Sequence, residues 1–259
     1  MIMIDKLCYS SKLRYQSPFL KMGFSIGLLF LCVISRSIVV SLCILLLMGS
    51  LTVIRGGTSF KRYRHFMFVP LAFLLLSTVA IMVNLSPEPL SLVAIPVGRS
   101  YLTVSWAGFI QCVNLILTAL AAVSCLYFLT LTTPLTDILL VLRKCKCPYL
   151  VIELMMLIYR FIFILFELAS SLYHSQACRL GHKDLKTSWN SMGKLMAVLL
   201  VRAMQKSNRL FDAMESRCYN GTILVLEEHQ AAAKKEIVAV CVTVAILIGV
   251  AVICSYFGI

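Results

Sequence analysis

Two short runs within a polar, basic block of the chain decide how this sequence is interpreted. They are Ala-Cys-Arg-Leu-Gly at 177–181 and Ala-Met-Glu-Ser-Arg-Cys-Tyr-Asn-Gly at 213–221. Each ends a stretch of helix-like sequence and has an arginine shortly before a glycine, and glycine after the last helical turn is typical of a left-handed helix C-terminus. The block, residues 143–235, lies between apolar segments of almost membrane-spanning length. We therefore predict a membrane protein with a large helical insert on one side.

The composition supports the membrane assignment. Of 259 residues, 60% are hydrophobic and only 14% are charged, and the mean hydropathy is +0.93. The net charge of +13 comes from residues that flank apolar segments, which favours anionic lipid and an acidic protein as partners and argues against nucleic acid. Eleven scattered cysteines do not resemble a disulfide framework and are expected to be free thiols.

Charge distribution predicts how the chain is threaded through an inner or plasma membrane. If the N-terminus, residues 55–65 and residues 132–235 are cytoplasmic, only Arg36 and Arg99 of the 24 cations lie outside, which leaves 22 inside. This arrangement requires five spans and an external C-terminus, with an external loop at 84–104. The apolar segments available are 19–35, 37–54, 66–83, 105–131, 148–169 and 237–257.

The segment 148–169 is expected to lie against the cytoplasmic ends of the other spans. Glu153, Arg160, Glu167 and His174 recur every seven residues and would share one helix face, and four ionisable side chains are costly inside a bilayer. The stripe would turn toward water or a neighbouring helix. The alternative is a sixth span whose polar stripe faces the interior of the bundle.

The predicted fold class is therefore an all-α integral membrane protein with about five transmembrane helices and a cytoplasmic platform of two long crossed helices and one short helix. Residues 1–131 would form a four-span bundle, 132–235 the cytoplasmic helices, and 236–259 the last span. The platform helices are expected near 138–143, 149–180 and 188–220. Gly181 and Gly221 are expected to close the two long ones in a left-handed conformation.

Motifs for enzymatic chemistry find no supporting context. Gly-Phe-Ser-Ile-Gly at 23–27 matches a nucleophile elbow, but that motif requires a preceding strand, and here the two glycines instead suit close helix packing. No phosphate-binding loop motif is present. We expect no catalytic residue and no cofactor.

Metal ligation by this chain is not expected either. The four histidines lie at membrane edges or in the polar block, and none falls inside a predicted span. Cys145 and Cys147 are separated by one residue, whereas zinc knuckles usually have two. A transmembrane metal path should place ligands within the spans, so direct ion translocation is not predicted.

Arg179 and Arg217 admit two interpretations. A cation in the last helical turn complements the helix dipole, which contributes about 0.3–1 kcal/mol. This interpretation is the simpler one from the residues alone, and the repetition of the arginine at the ends of two long helices keeps a more specific role open.

The chain resembles the T component of energy-coupling factor transporters, of the CbiQ type associated with cobalt uptake. The resemblance covers essentially the whole length, and its most specific parts are 179–181 and 213–221, which are similar to the family's paired Ala-Arg-Gly signatures. Both arginines are kept, while Cys178 and Leu180 flank the first and Ser216 and Cys218 flank the second. Further matching blocks are residues 4–6, 126–134 and 152–163.

The resemblance implies a non-catalytic scaffold with two ATP-binding ATPase subunits and a cobalt-binding membrane S component as partners. The T component would carry ATPase movements to the S component, and the S component would bind cobalt. The alternatives are the same role in a nickel importer, or a stand-alone ion transporter. The residues implied in ATPase coupling are Arg179, Arg217, Ala177, Gly181, Ala213, Glu215 and Gly221.

Overall fold

A computed structural model describes residues 8–9, 11, 13–82, 84–86, 93–97, 100–104, 106–221 and 234–257, without the side chains of 79–107, 255 and 257. The matching block at 4–6, the loop prolines at 87 and 89, Arg99 and His229 lie outside the described residues. The helices are α1 (Pro18–Ser35), α2 (Ile38–Ser50, continued by a π-helical turn, Leu51–Arg55), α3 (Phe60–Met82), α4 (Trp106–Thr132), α5 (Leu135–Lys144), α6 (Tyr149–Cys178), α7 (Leu185–Glu215) and α8 (Lys234–Phe257).

This helical architecture confirms the predicted all-α membrane class, with one addition. The expected loop at 84–104 contains the strands β1 (Asn84–Ser86), β2 (Val93–Val97) and β3 (Ser100–Val104). They form an antiparallel sheet in the order β1-β3-β2. The β-branched and apolar residues of β2 and β3 suit a small sheet, whereas prolines 87, 89 and 96 in this segment are more typical of a loop.

Within the described residues, five helices are long and apolar enough to cross a membrane. This set includes Tyr149–Cys178, which the charge distribution placed at the cytoplasmic surface. The first turns of α3 carry Lys61, Arg62 and Arg64, and its last residues lie beyond the side chains that the structure describes. The placement of 148–169 and the third span at 66–83 therefore remain predictions. The five segments are Pro18–Ser35, Ile38–Arg55, Gly108–Thr132, Tyr149–Cys178 and Lys234–Cys254.

The described chain divides into two compact units. One comprises residues up to 138 together with α8, and the other comprises residues 139–221. The sequence-based boundaries at 131/132 and 235/236 remain a prediction. We refer to these parts as the membrane unit and the hairpin unit.

The core of the membrane unit lies among α1, α2 and α4. Leu28, Ile44, Met48 and Cys125 are fully buried there. Ser25 Oγ donates a 2.7 Å hydrogen bond to the Cys125 carbonyl. Such short polar contacts join helices whose surroundings offer little hydrophobic driving force.

The expected close packing of Gly23 and Gly27 is wrong for this structure. A Cβ atom added to either glycine would meet no atom within 4 Å. The contacts of this segment with α4 are made instead by Ser25, which bonds to the Cys125 carbonyl, and by Phe24, whose ring packs edge-on against Phe128.

Lys21, near the start of α1, is buried where α4 ends and α5 begins. Its side chain is 5% exposed. The ammonium donates to the carbonyls of Leu13 at 3.0 Å and Thr132 at 3.2 Å. Because Thr132 is the last residue of α4, Lys21 places a positive charge at a helix C-terminus, where the macrodipole is negative.

Candidate functional site

The two long helices of the hairpin unit, α6 and α7, are joined by a short turn whose polar groups are bonded to each other. Gln176 Nε2 donates to the Ser191 carbonyl at 3.0 Å, and Ser191 Oγ donates to the Gly181 carbonyl at 2.8 Å. Both bonds join the end of α6 to the second turn of α7. The start of the second helix is thereby fixed against the end of the first.

The first arginine turn, residues 176–181, ends α6. Leu180 N–H donates to the Ala177 carbonyl at 3.0 Å and Gly181 N–H donates to the Gln176 carbonyl at 2.9 Å. These two bonds define a Schellman motif, in which Arg179 is the C-cap residue.

The second arginine turn, residues 214–219, ends α7 with the same motif. Cys218 N–H donates to the Glu215 carbonyl at 2.9 Å and Tyr219 N–H donates to the Met214 carbonyl at 3.1 Å. Arg217 occupies the position between the helical end and the left-handed residue, as Arg179 does in the first turn. The two predicted arginines are therefore equivalent in backbone position.

The left-handed residue of each motif is not the glycine that was expected. Leu180 and Cys218 both have φ of 58°, a conformation that costs a residue with a Cβ atom about 1–2 kcal/mol. Gly221 has φ of +87° but lies three residues beyond Cys218. The residue after each arginine thus adopts the conformation that glycine favours.

Gly181 is needed for space rather than for its backbone angle. A Cβ atom there would lie 2.9 Å from the Gln176 carbonyl oxygen and 3.0 Å from Ser191 Oγ. Both distances are shorter than ordinary van der Waals contacts. The absence of a side chain lets the start of α7 approach the end of α6.

Both arginine side chains are exposed, as are those of Ala177, Ala213 and Glu215. Gly221 is exposed and Gly181 is half-buried. The seven predicted residues fall in or beside the two turns. The 31 residues of α7 span about 46 Å at about 1.5 Å per residue, so the turns stand at opposite ends of a long helix.

The second turn is held by a side-chain contact that was not predicted from the sequence. Tyr219 OH donates to Glu153 Oε1 at 2.6 Å, and Glu153, in the first turns of α6, is 8% exposed. The hydrogen bond to this carboxylate, followed by burial and by the charge of Glu153, raises the pKa of Tyr219 to about 12. Glu153 was identified only as one member of an ionisable stripe, and Tyr219 lay unassigned within the second motif.

The first turn is instead flanked by aromatic stacking. The rings of Tyr173 and His182 are stacked with centroids 4.4 Å apart, and His182 Nδ1 lies 3.1 Å from Ser188 Oγ. The stack joins the last part of α6 to the connection that leads into α7. It adds a third local contact to those of Gln176 and Ser191.

The described residues contain no group of three or more His, Cys, Asp or Glu side chains that could hold a metal ion. Ser25, the centre of the elbow-like motif, lies in α1 and donates to a backbone carbonyl. The features that stand out chemically are therefore the two solvent-accessible guanidinium groups. Their fork of donors suits bidentate contact with carboxylates or carbonyl oxygens of another protein.

Comparison with known proteins identifies the chain's relatives. An uncharacterised protein of Methanocaldococcus jannaschii is 32% identical over 229 residues, covering 86% of this chain and 83% of that protein. The cobalt transport protein CbiQ of Salmonella typhimurium is 25% identical over 220 residues, covering 84% and 97%. A putative fused cobalt transport protein CbiMQ of Methanocorpusculum labreanum is 28% identical over 246 residues, covering 95% of this chain but 41% of the fused protein.

The family model described as a cobalt transport protein, CbiQ, matches residues 10–230. This range includes both arginine turns and most of the membrane unit. With the apolar helices described above, it identifies a membrane component of cobalt transport. The chain belongs to the CbiQ family of cobalt transport proteins.

Proposed function

We propose that this chain is the non-catalytic coupling subunit of an ATP-driven cobalt importer. Two ATPase subunits bind at the two arginine turns, and a cobalt-binding membrane subunit binds at the membrane helices. In this scheme residues 1–131 and 236–259 form the membrane bundle, and residues 132–235 form the cytoplasmic coupling helices. The N-terminus is cytoplasmic as well.

The repeated helix end is the observation that carries this proposal. Two exposed arginines occupy the same position in two Schellman motifs, and helix-dipole compensation alone does not require the same motif twice. Two copies of one recognition element favour two copies of one partner, as in a pair of similar ATPases.

The distance between the turns supports two docking events rather than one. With about 46 Å of helix between them, the turns do not share one groove. Each turn would meet its own ATPase subunit. A displacement of one subunit relative to the other would then act on opposite ends of α7.

The names of the relatives support the metal and the membrane partner. Relatives are named as cobalt transport proteins, and in the fused CbiMQ protein this chain accounts for only part of the length. A second component joined in one polypeptide is consistent with a partner that works beside this chain. Cobalt is therefore preferred to nickel as the imported metal.

Alanine substitution of each arginine tests the docking role. Interface arginines can contribute about 2 kcal/mol or more, so we expect Arg179→Ala or Arg217→Ala to weaken ATPase association by about 30-fold. Charge reversal to Glu at both positions should abolish uptake. The measurements are ATPase co-purification with the tagged chain and radioactive cobalt uptake by vesicles that contain the co-purified complex, with nickel as competitor.

Lys183→Ala is the matched control, because Lys183 is an exposed cation four residues after Arg179 and outside the C-cap. It should retain wild-type association and uptake.

Native thiols give a second readout, since Cys178 and Cys218 are exposed beside the arginines. Maleimide labelling of both should slow when ATPases are bound, more than that of exposed Cys145. Arginine variants that accumulate normally and import cobalt at wild-type rates would contradict the proposal.

A further inference from the structure

A second feature of the hairpin unit is an open cleft of about 550 Å³ between the middle parts of α6 and α7. We call it the basic cleft. Small-molecule sites occupy roughly 300–1,000 Å³, so its volume is that of a ligand site. Its α6 wall includes Ile164, Leu165 and Leu168, and its α7 wall includes Arg202, Lys206 and Arg209.

The cations of the α7 wall are aligned and have no partner among the described residues. Their spacing of four and then three residues places Arg202, Lys206 and Arg209 on one helix face. All three are exposed, and within the part of the chain that the structure describes none forms a hydrogen bond or ion pair. Like charges at this spacing destabilise a helix slightly. The cluster therefore brings the folded chain no electrostatic gain of its own.

One carboxylate, that of Glu167, lines the same cleft. It is exposed and, like the three cations, forms no hydrogen bond or ion pair with the described residues. Three cations and one anion leave a local charge of +2. An anionic ligand would be attracted to this cleft, and guanidinium groups bind phosphate oxygens in bidentate fashion.

The other wall indicates which class of anion. Ile164, Leu165 and Leu168 give the α6 side of the cleft an apolar surface. A soluble phosphate would leave that wall against water. A phospholipid satisfies both walls, because its phosphate can meet the cations while an acyl chain lies along the aliphatic side chains.

We propose that the basic cleft binds the phosphate group of an anionic phospholipid. Phosphatidylglycerol suits the local charge of +2 better than phosphatidylcholine, whose quaternary ammonium would be repelled by the same cations. Each surface cation contributes roughly fivefold to anionic lipid binding, so loss of all three should weaken it on the order of 100-fold.

Native mass spectrometry of the purified full chain tests this proposal. Mixed micelles that contain phosphatidylglycerol or phosphatidylcholine of equal acyl length are titrated, and retained lipids are counted. The wild type should retain phosphatidylglycerol preferentially. Replacement of all three cleft cations by glutamine (Arg202→Gln, Lys206→Gln, Arg209→Gln) should remove that preference. The pair Arg202→Lys and Arg209→Lys should keep most of it.

The control is Lys183→Gln, Lys186→Gln and Lys194→Gln, which removes the same charge from exposed positions of the same unit. It should bind phosphatidylglycerol as the wild type does. Equal losses in the two triple variants, or no loss in the cleft variant, would overturn the proposal. Inorganic phosphate binding at millimolar concentration that disappears only in the cleft variant would also overturn it, because the site would then serve a soluble anion. Lipid retention is measured without ATPases, so its outcome is independent of docking at the arginine turns.

Discussion

The two arginine turns have the same backbone motif but are held in different ways. The first is fixed by short-range contacts, in which Gly181 lies against Ser191 and His182 stacks on Tyr173. The second is fixed by a side chain that reaches across the unit, from Tyr219 to Glu153, 66 residues apart in sequence. One turn is held by its own surroundings and the other by the far end of the neighbouring helix.

This difference predicts different mechanical behaviour. Contacts among sequence neighbours persist when a helix moves as a body, so the first turn should follow its own hairpin. The hydrogen bond from Tyr219 to Glu153 on α6 is lost when the helix ends separate. The second turn should therefore be the more sensitive to any motion that opens the hairpin.

Gly181→Ala should produce the largest difference in local opening between the two turns. Its Cβ atom would overlap the Gln176 carbonyl and crowd Ser191 Oγ, and such overpacking costs about 1–3 kcal/mol. We expect faster amide hydrogen exchange over residues 176–182 and unchanged exchange over 214–220. The exchange measurement must resolve individual residues, because each turn can open locally without unfolding of the rest of the chain.

Gly193→Ala provides the control for this substitution. Gly193 lies within α7, and a Cβ atom there meets nothing within 4 Å. Alanine in a helix interior is more favourable than glycine by about 0.5–1 kcal/mol. This variant should protect the helix slightly, and equal loosening by both glycine substitutions would remove the packing role assigned to Gly181.

Tyr219→Phe should release the second turn and leave the first intact. It removes the donor to buried Glu153, and an unsatisfied buried acceptor costs about 1–3 kcal/mol. Exchange should rise over residues 214–220. Tyr173→Phe is the matched control, since it keeps the ring that stacks on His182. A similar response in both variants would show that loss of any tyrosine hydroxyl loosens the unit.

Alkaline pH should break the same contact without mutation. The hydrogen bond to Glu153 raises the pKa of Tyr219 from 10.0 to about 12. Because the pKa is higher in the folded state, the contribution is fully present below pH 10 and is lost as pH rises toward about 12. The difference in unfolding midpoint between wild type and Tyr219→Phe should shrink over this window. A constant difference would assign the effect of the substitution to something other than the ionisable hydroxyl.

The membrane class and the ends of the long helices could be predicted from sequence because they depend on local patterns. Apolar length gives the candidate spans. The arginine-containing runs predicted the ends of α6 and α7 near 180 and 220, and these helices end at Cys178 and Glu215. The small sheet at 84–104 was missed because its strands are only three to five residues long and the prolines near them are typical of loops. Gly23 and Gly27 match a packing motif, but a motif cannot tell which face of a helix meets a neighbour.

The contacts that distinguish the two turns could not be predicted for the same reason. Glu153 and Tyr219 are adjacent only after α6 and α7 have folded into a hairpin. In the sequence Lys21 is only a cation beside an apolar segment, and its contact with the end of α4 exists only in the folded chain. The left-handed residue was assigned to the glycines because glycine is the usual occupant, whereas the hydrogen-bond spacing places it one residue after each arginine.

The smallest effect should come from restoring glycine at these left-handed positions. Leu180 and Cys218 are exposed, so their replacement by glycine loses little packing. It relieves a φ of 58° while adding unfolded-state entropy, and the net stabilisation should be at most about 1 kcal/mol. Cys178→Gly is the matched control, because Cys178 is also an exposed cysteine but is the last helical residue of α6. There glycine should destabilise by up to about 1 kcal/mol. We expect Cys218→Gly and Cys178→Gly to shift the unfolding midpoint in opposite directions. Shifts of the same sign would show that backbone strain does not distinguish the residue after the arginine from the residue before it.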